Sequence, residues 1–464
     1  MTAMTRLRSL LASAIAVALL PLAQANDLST AYQQAVERDP QLKVVAANRA
    51  AAQEGIQLAR ARLLPQISGS AELSRSNSET QRTQPFQSGD TFVLRQVPLE
   101  TESDGRSYSL QLNQTIYDHA NYTQLQAARA SAARSEAQYQ AALQQLAVRV
   151  AEAYFAMLTA EDSVSFARAD EKAVTRQLDQ AEQRFNVGLT AITDVHEARA
   201  RRDSATAAAI LAENALDDAR EALAEITGNF IEAVKPLRDN IPLEPPSPNV
   251  WQDWVKLAMD GNPELQAAML ASEAADFQIA TARAGHYPTV SAFASYTDSE
   301  DDTDTTILGA TTSNNSPFTN DTIGIRLSVP IFSGFAVSSR VRQSVAEHQA
   351  SLDQQEQTRR AVTRQTRNAF RSILAGISEV KARQQALVSA QSALDATQAG
   401  FEVGTRTIVD VLLSQQVLVQ AQRDYSRSRH EFVVNGLRLK RAAGTIAESD
   451  IQAINALLEE RRPG

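Results

Sequence analysis

Cysteine is absent from all 464 residues, which excludes disulfides and a lipid-bearing N-terminal cysteine alike. Aromatic residues make up only 5% of the chain. The apolar content is rich in alanine instead, as in a helical coiled-coil protein. Past the N-terminal segment, no stretch reaches the roughly 18 consecutive apolar residues of a spanning helix. The histidines (His119, His196, His286, His348, His430) are scattered, and no H-E-x-x-H, Gly-x-x-x-x-Gly-Lys loop or G-x-S-x-G elbow occurs. Catalysis, a metal centre, a bound cofactor and ATP-driven work by this chain are therefore not expected. The formal charge of -9 argues against a nucleic-acid partner.

What is present begins with a secretory signal over residues 1–25. Arg6 and Arg8 precede an apolar run from Leu10 to Leu22, and Ala23-Gln24-Ala25 supplies the A-x-A cleavage site. That run is too short for a membrane span. Cleavage removes two arginines and takes the formal charge from -9 to -11.

The rest of the chain is organised around a repeat. Phe185-Asn-Val-Gly188-Leu-Thr-Ala-Ile192-Thr-Asp194-Val195 returns 216 positions later as Phe401-Glu-Val-Gly404-Thr-Arg-Thr-Ile408-Val-Asp410-Val411, with six of eleven positions identical. A long run nearly free of Gly and Pro leads into each copy, and the runs that follow end at Gly228 and Gly444, again 216 apart. The pattern predicts a tight turn at the end of a long helical hairpin, made twice. Each glycine suits a left-handed C-cap, and Thr407 with Asp410 has nearly capping-box spacing. Duplication explains part of the identity, and contact at the tips explains the repeated Phe, Val, Ile and Asp.

The seventy residues from Asp118 to Val187 contain no Gly or Pro, enough for a helix of about 100 Å. Near the tip Val174, Leu178, Ala181 and Phe185 keep a 4, 3, 4 spacing, matched by Ala390, Leu394, Thr397 and Phe401, the seam of a coiled coil. Small residues such as Ala127, Ala128, Ala130, Ala132 and Ala133 allow helices to pack side by side.

Each unit opens with a helix behind Asp39-Pro40 or Asn262-Pro263 and runs to Pro65 or Pro288, where the period changes to two. Ile67, Ala71 and Leu73 alternate with polar residues, as do Tyr108, Leu110, Leu112 and Ile116, then Val290, Ala292, Ala294 and Tyr296, then Ile323, Ile325, Leu327, Val329 and Ile331. Four strands of about ten residues with one apolar face fit transmembrane β-strands, and a soluble hairpin with one buried face fits equally. The intervening segments, residues 75–106 and 298–321, read as long polar loops of the kind on the outer face of such a barrel. Four strands cannot close a barrel. Two copies give eight strands and a filled interior, whereas three give twelve and room for a pore. Lys235 to Pro248 reads as a proline-rich linker, followed by Trp251 and Trp254 on a short helix that packs where the linker crosses the helices.

With these motifs in hand, Arg184 to Val195 and Val403 to Leu412 resemble the two periplasmic hairpin tips of the TolC family of Gram-negative outer-membrane exit ducts, and the similarity covers essentially the whole mature chain. The resemblance implies an α+β membrane protein: a homotrimer with four strands per protomer in a twelve-stranded β-barrel, a long periplasmic α-helical barrel of coiled-coil hairpins, and an equatorial belt from the linker and C-terminal segments. It implies an outer-membrane duct passing drugs or proteins from periplasm to exterior. Its partners would be a periplasmic adaptor (membrane-fusion) protein, an inner-membrane exporter of RND, ABC or MFS type, and outer-membrane lipid. The family's closed-state links fall on Thr193, Asp194, Phe401 and Arg406, with Asp410 ringing the constriction. Val187, Gly188, Leu189, Val403, Gly404 and Thr405 sit at the tips, where an adaptor is expected to meet them end to end, glycine allowing close backbone approach. Two departures stand out: Phe401 where close relatives have Tyr, and Leu413 where some have a second acidic ring.

The expected organisation is a signal at 1–25, a first repeat over 26–235, a linker over 236–250, a second repeat over 251–444 and an equatorial segment over 445–464. The competing class is a soluble periplasmic coiled-coil adaptor or scaffold, against which the four alternating strands discriminate.

Overall fold

The computed structural model describes residues 27–459, so the signal segment 1–25 and residues 460–464 lie outside it. In chain order the elements are α1 (Leu28–Arg38), α2 (Pro40–Ala61), β1 (Gln66–Ser88), β2 (Thr91–Tyr117), α3 (His119–Asn186), α4 (Ile192–Thr227), α5 (Trp251–Gly261), α6 (Pro263–Ala284), β3 (Thr289–Ile307), β4 (Ala310–Ser328), α7 (Ala336–Glu402), α8 (Ile408–Ala442) and α9 (Glu448–Asn455). They group into two compact units that do not follow chain order. Among the described residues, one holds 27–49, Ser135–Ala268 and 355–459; the other holds Ala50–Arg134 and Met269–Gln354.

The second unit is built on a four-stranded antiparallel sheet in the order β1-β2-β3-β4. Its register aligns Ile67, Leu112, Ala294 and Ile323 in one row and Gly69, Leu110 and Tyr296 in the next. These rows share one face, which is apolar and exposed; Ile323 keeps 87% of its surface free. The other face carries Ser68, Gln111, Ser295 and Thr322 in register. On that polar face Phe293 lies over Gly324, where an added Cβ would come within 2.8 Å of the ring, and the Arg326 guanidinium stacks 4.8 Å from the Phe293 centroid. An exposed apolar face on one side and a polar face on the other is what a wall between lipid and water requires. β1 and β4 are the open edges.

The strands are much longer than the sequence suggests. Residues 75–106 and 298–321, read there as polar loops, belong to the strands apart from two-residue turns at Gly89-Asp90 and Leu308-Gly309. Gly89, Leu308 and Gly309 have φ of 66°, 51° and 83°, as primed hairpin turns require. The loop reading fails because both faces here are wet, so hydrophobic alternation vanishes while the backbone ladder continues. Polar cross-strand pairs replace it, including Arg75 with Asp104 at 2.6 Å and the Ser103 and Thr303 hydroxyls at 3.2 Å.

The first unit is a helical core. Leu28, Ala31 and Ala35 of α1 pack with Tyr154, Phe155, Met157 and Leu158 of α3, Leu223 of α4, Leu437 of α8 and Ile451 of α9. Each such large apolar side chain contributes about 1.5–3 kcal/mol on burial. The Tyr154 hydroxyl donates to the Lys235 carbonyl and accepts from its N–H, both at 3.0 Å, which ties the linker down. That linker meets the C-terminal segment by a bridge between Leu237 and Leu458. Asp39 and Asn262 do the same job before the two prolines: Asp39 Oδ2 accepts from the Leu42 N–H at 2.9 Å and Asn262 Oδ1 from the Glu264 N–H at 2.9 Å. Trp254 is buried with Phe370, Ile373 and Leu439, so the tryptophans pack inside this unit.

Candidate functional site

Two chain reversals carry the repeated motif, one joining α3 to α4 and one joining α7 to α8. Gly188 and Gly404 sit at φ of 77° and 79°, the left-handed region where a side chain is costly. In the first turn the Gly188 N–H donates to the Phe185 carbonyl at 2.9 Å and the Leu189 N–H to the Arg184 carbonyl at 2.8 Å. The second repeats this with Gly404 to Phe401 at 3.2 Å and Thr405 to Gly400 at 2.8 Å. No atom lies within 4 Å of a Cβ added at either glycine, so the tips face open space. Val187 and Leu189 are each 70% exposed and Val403 77%, an apolar fringe around both turns.

The helices that leave the turns start differently. Thr407 caps α8: its hydroxyl accepts from the Asp410 N–H at 3.2 Å, while Asp410 Oδ2 accepts from the Thr407 N–H and hydroxyl at 2.9 Å each. The expected capping box is there. The Thr407 N–H and hydroxyl, helped by Arg406, hold the Asp410 carboxyl below its ordinary pKa, so it is an anion. Before α4 stands Ala191 with no side-chain cap, and Asp194 instead accepts from the Thr190 hydroxyl of its own turn.

Packing brings the two hairpins together near the tips. Val174, Leu178 and Ala181 of α3 with Val195 and Ala198 of α4 enclose Ile408 and Leu412 of α8, and Phe401 packs against this cluster. Phe401 also receives the Arg184 guanidinium 4.7 Å from its ring centroid, a cation–π contact between hairpins. Phe185, in the equivalent position of the first copy, is 40% exposed. Thr193, Thr405 and Arg406 are exposed.

Of the residues singled out in the sequence, the structure therefore joins Phe401 to the first hairpin and Asp410 to Thr407. Asp194 takes its hydroxyl donor from Thr190, and Arg406 instead lies along Gly400, where an added Cβ would come within 2.8 Å of Arg406 Cγ. Sequence reading missed Arg184 as the partner of Phe401. The signal is in the position-by-position comparison of the copies: Arg184 matches Gly400 and Thr190 matches Arg406, so each tip has one arginine, on opposite sides of the turn. Leu413, one turn past Asp410, is 56% exposed. Among the described residues no helix is long and apolar enough to cross a membrane, and no group of three or more His, Asp or Glu is placed to hold a metal ion.

Comparison with known proteins gives this geometry a context. The sequence model described as "Outer membrane efflux protein" matches residues 31–229 and 254–445. The chain is similar to the outer membrane protein TolC of Vibrio cholerae, 35% identical over 98% of this chain and 99% of that one. It is likewise similar to the outer membrane protein TolC of Escherichia coli, 37% identical over 95% and 86%. Among solved structures, the outer membrane protein VceC of Vibrio cholerae superposes with a TM-score of 0.70 at 20% identity, covering 90% and 96%.

Proposed function

The chain belongs to the outer membrane efflux protein family, and from that premise we propose how its tips work in the passive exit duct that it forms. The duct is trimeric, lies in the outer membrane with its α-barrel in the periplasm, and works with adaptor and inner-membrane pump partners; it is not an enzyme. The four-stranded sheet supports this reading most directly, because an exposed apolar face over open edges has no place in a soluble adaptor, whereas three copies make a closed wall of twelve strands. Closure satisfies the edge groups of β1 and β4, which lipid could not.

The tips form the gate and the dock. In the closed trimer Arg406 pairs with Asp194 of the neighbouring hairpin. Thr193 and Phe401 complete the latch, and the Asp410 carboxylates ring the entrance. Arg184 replaces the hydrogen bond that a Tyr at 401 would supply by holding the Phe401 ring. Val187, Gly188, Leu189, Val403, Gly404 and Thr405 meet the tip of a periplasmic adaptor, and the exporter of RND, ABC or MFS type supplies the energy. The chain itself is two tandem copies, 26–235 and 251–444, joined by the linker 236–250 and closed by 445–464. Single-channel recording in planar bilayers tests the gate: the native trimer is expected to show a small cation-preferring conductance, and a wide, unselective native pore would refute it.

A further inference from the structure

Away from the tips the four long helices of the helical unit follow one order. Arg168 pairs with Glu213 at 2.8 Å and Arg201 with Asp170 at 2.7 Å, linking α3 to α4. The Thr159 hydroxyl lies 2.8 Å from His430 Nδ1 and Arg438 reaches Glu152 at 2.8 Å, linking α3 to α8. Arg383 meets Asp424 at 2.9 Å, and Phe370 and Ile373 pack with Leu439, linking α8 to α7. The order is α4-α3-α8-α7, with α4 and α7 outermost. Near the tip α4 also meets α8, through Val195, Ala198, Ile408 and Leu412.

The two outer faces carry opposite charges, four arginines on α7 and three carboxylates on α4 that continue the same step from the neutral Asn214. On α7, Val362, Thr366, Phe370 and Ile373 are buried. At 100° per residue, Arg360, Arg364, Arg367 and Arg371 stand on the opposite side, exposed and lining one open groove. On α4, Leu216 and Leu223 are buried, and Asn214, Asp218, Glu221 and Glu225 stand opposite and exposed; Asp218, Glu221 and Glu225 line a second groove beside Phe230. Both sets step 4, 3, 4. Like charges stacked this way destabilise a lone helix. Glu356, paired with Arg359 and Arg360 at 2.6 and 2.7 Å, relieves one end of the arginine stripe, and Arg367 stacks 4.2 Å from the Trp251 centroid.

The stripes also lie level. Arg371 and Arg367 are 31 and 35 residues from the end of α7 at Glu402, and Glu221 and Glu225 are 29 and 33 residues from the start of α4 at Ile192. The helical rise puts them about 46 and 52 Å, and about 44 and 50 Å, from tips that pack on one another. Because α4 and α7 run in opposite directions, the order of charges matches as well.

We propose that α7 of one protomer docks on α4 of a second copy, Arg371 facing Glu221 and Arg367 facing Glu225, so that complementary charge fixes the head-to-tail order of the ring. This rests on the trimeric reading, and β1 and β4, as opposite edges of one sheet, demand the same heterologous closure. The cysteine-free sequence offers a clean test in the full-length protein purified in detergent. Oxidising the Arg371→Cys, Glu221→Cys variant, or Arg367→Cys with Glu225→Cys, is expected to give covalent dimers and trimers on a denaturing gel and loss of the monomer band, while each single variant stays monomeric there. As a second measurement, Arg367→Glu with Arg371→Glu is expected to lower the temperature at which the trimer dissociates, and adding Glu221→Arg and Glu225→Arg is expected to restore it. Trimers by native mass spectrometry that neither cross-link nor recover on charge exchange would overturn the seam while leaving the trimer standing; monomers in the unmodified protein would overturn the trimer itself.

Discussion

The two hairpin tips reverse the chain with the same glycine at nearly the same φ, yet they differ in everything next to it. In the first, Arg184 fills the position just before the turn and reaches across to Phe401. In the second, Gly400 occupies that position, and the vacated space is where Arg406 lies. The second helix restarts under a reciprocal Thr407–Asp410 cap, and the first restarts uncapped at Ala191. The two turns thus share a backbone solution and differ in their charges. One tip anchors an aromatic ring, and the other bears an exposed cation beside a fixed anion.

The largest effect should come from the feature the tips share. Gly188→Glu or Gly404→Glu is expected to abolish export while trimers still assemble, because each tip faces open space. Gly404→Ala imposes the same left-handed strain, about 1–2 kcal/mol, without bulk or charge, and should keep most export; equal loss in both variants would reduce the tips to mere turns. A smaller effect separates the arginines. Arg406→Ala, and more so Arg406→Ala with Asp194→Ala, is expected to raise single-channel conductance, and an unchanged conductance in the double variant would remove the latch.

Selectivity isolates the fixed anion. Asp410→Ala is expected to remove the cation preference of the entrance. Since the folded pKa of Asp410 is depressed, chiefly by the Thr407 N–H and hydroxyl, its carboxylate contributes both charge and cap stability above the ordinary carboxylate pKa of about 3.9. Both are lost only as pH falls through the lower folded value. Reversal potentials should therefore hold constant down to about pH 4, and a preference that decays above that would contradict the cap geometry. The smallest effect is on the cap itself: Thr407→Ala is expected to cost about 1 kcal/mol, read as faster hydrogen exchange over 408–411, whereas Ala191→Ser should slow exchange at the start of α4.

Much of this was legible in the residues because it depends on local chemistry. A left-handed glycine, a Thr-x-x-Asp box, a proline behind Asp39 or Asn262 and a seventy-residue run without Gly or Pro each act within a turn or two of the chain, and the structure carries each of them out. Period two marked the four strands where one face is apolar. It went silent over 75–106 and 298–321, because two wet faces leave no hydrophobic contrast, and only the cross-strand ladder extends the sheet there.

The sequence by itself determined where the chain turns, where it is helical and which strand face is apolar, since those follow from φ preferences and side-chain periodicity within short windows. Tertiary structure alone decided that Arg184 finds Phe401 across 217 positions, that Arg406 rests in the space left by Gly400, and that α4 and α7 stand outermost with matched charges. Such pairings depend on which long helices lie side by side. That order is set by the summed burial of many weak apolar contacts over the whole unit, a quantity that no single motif encodes.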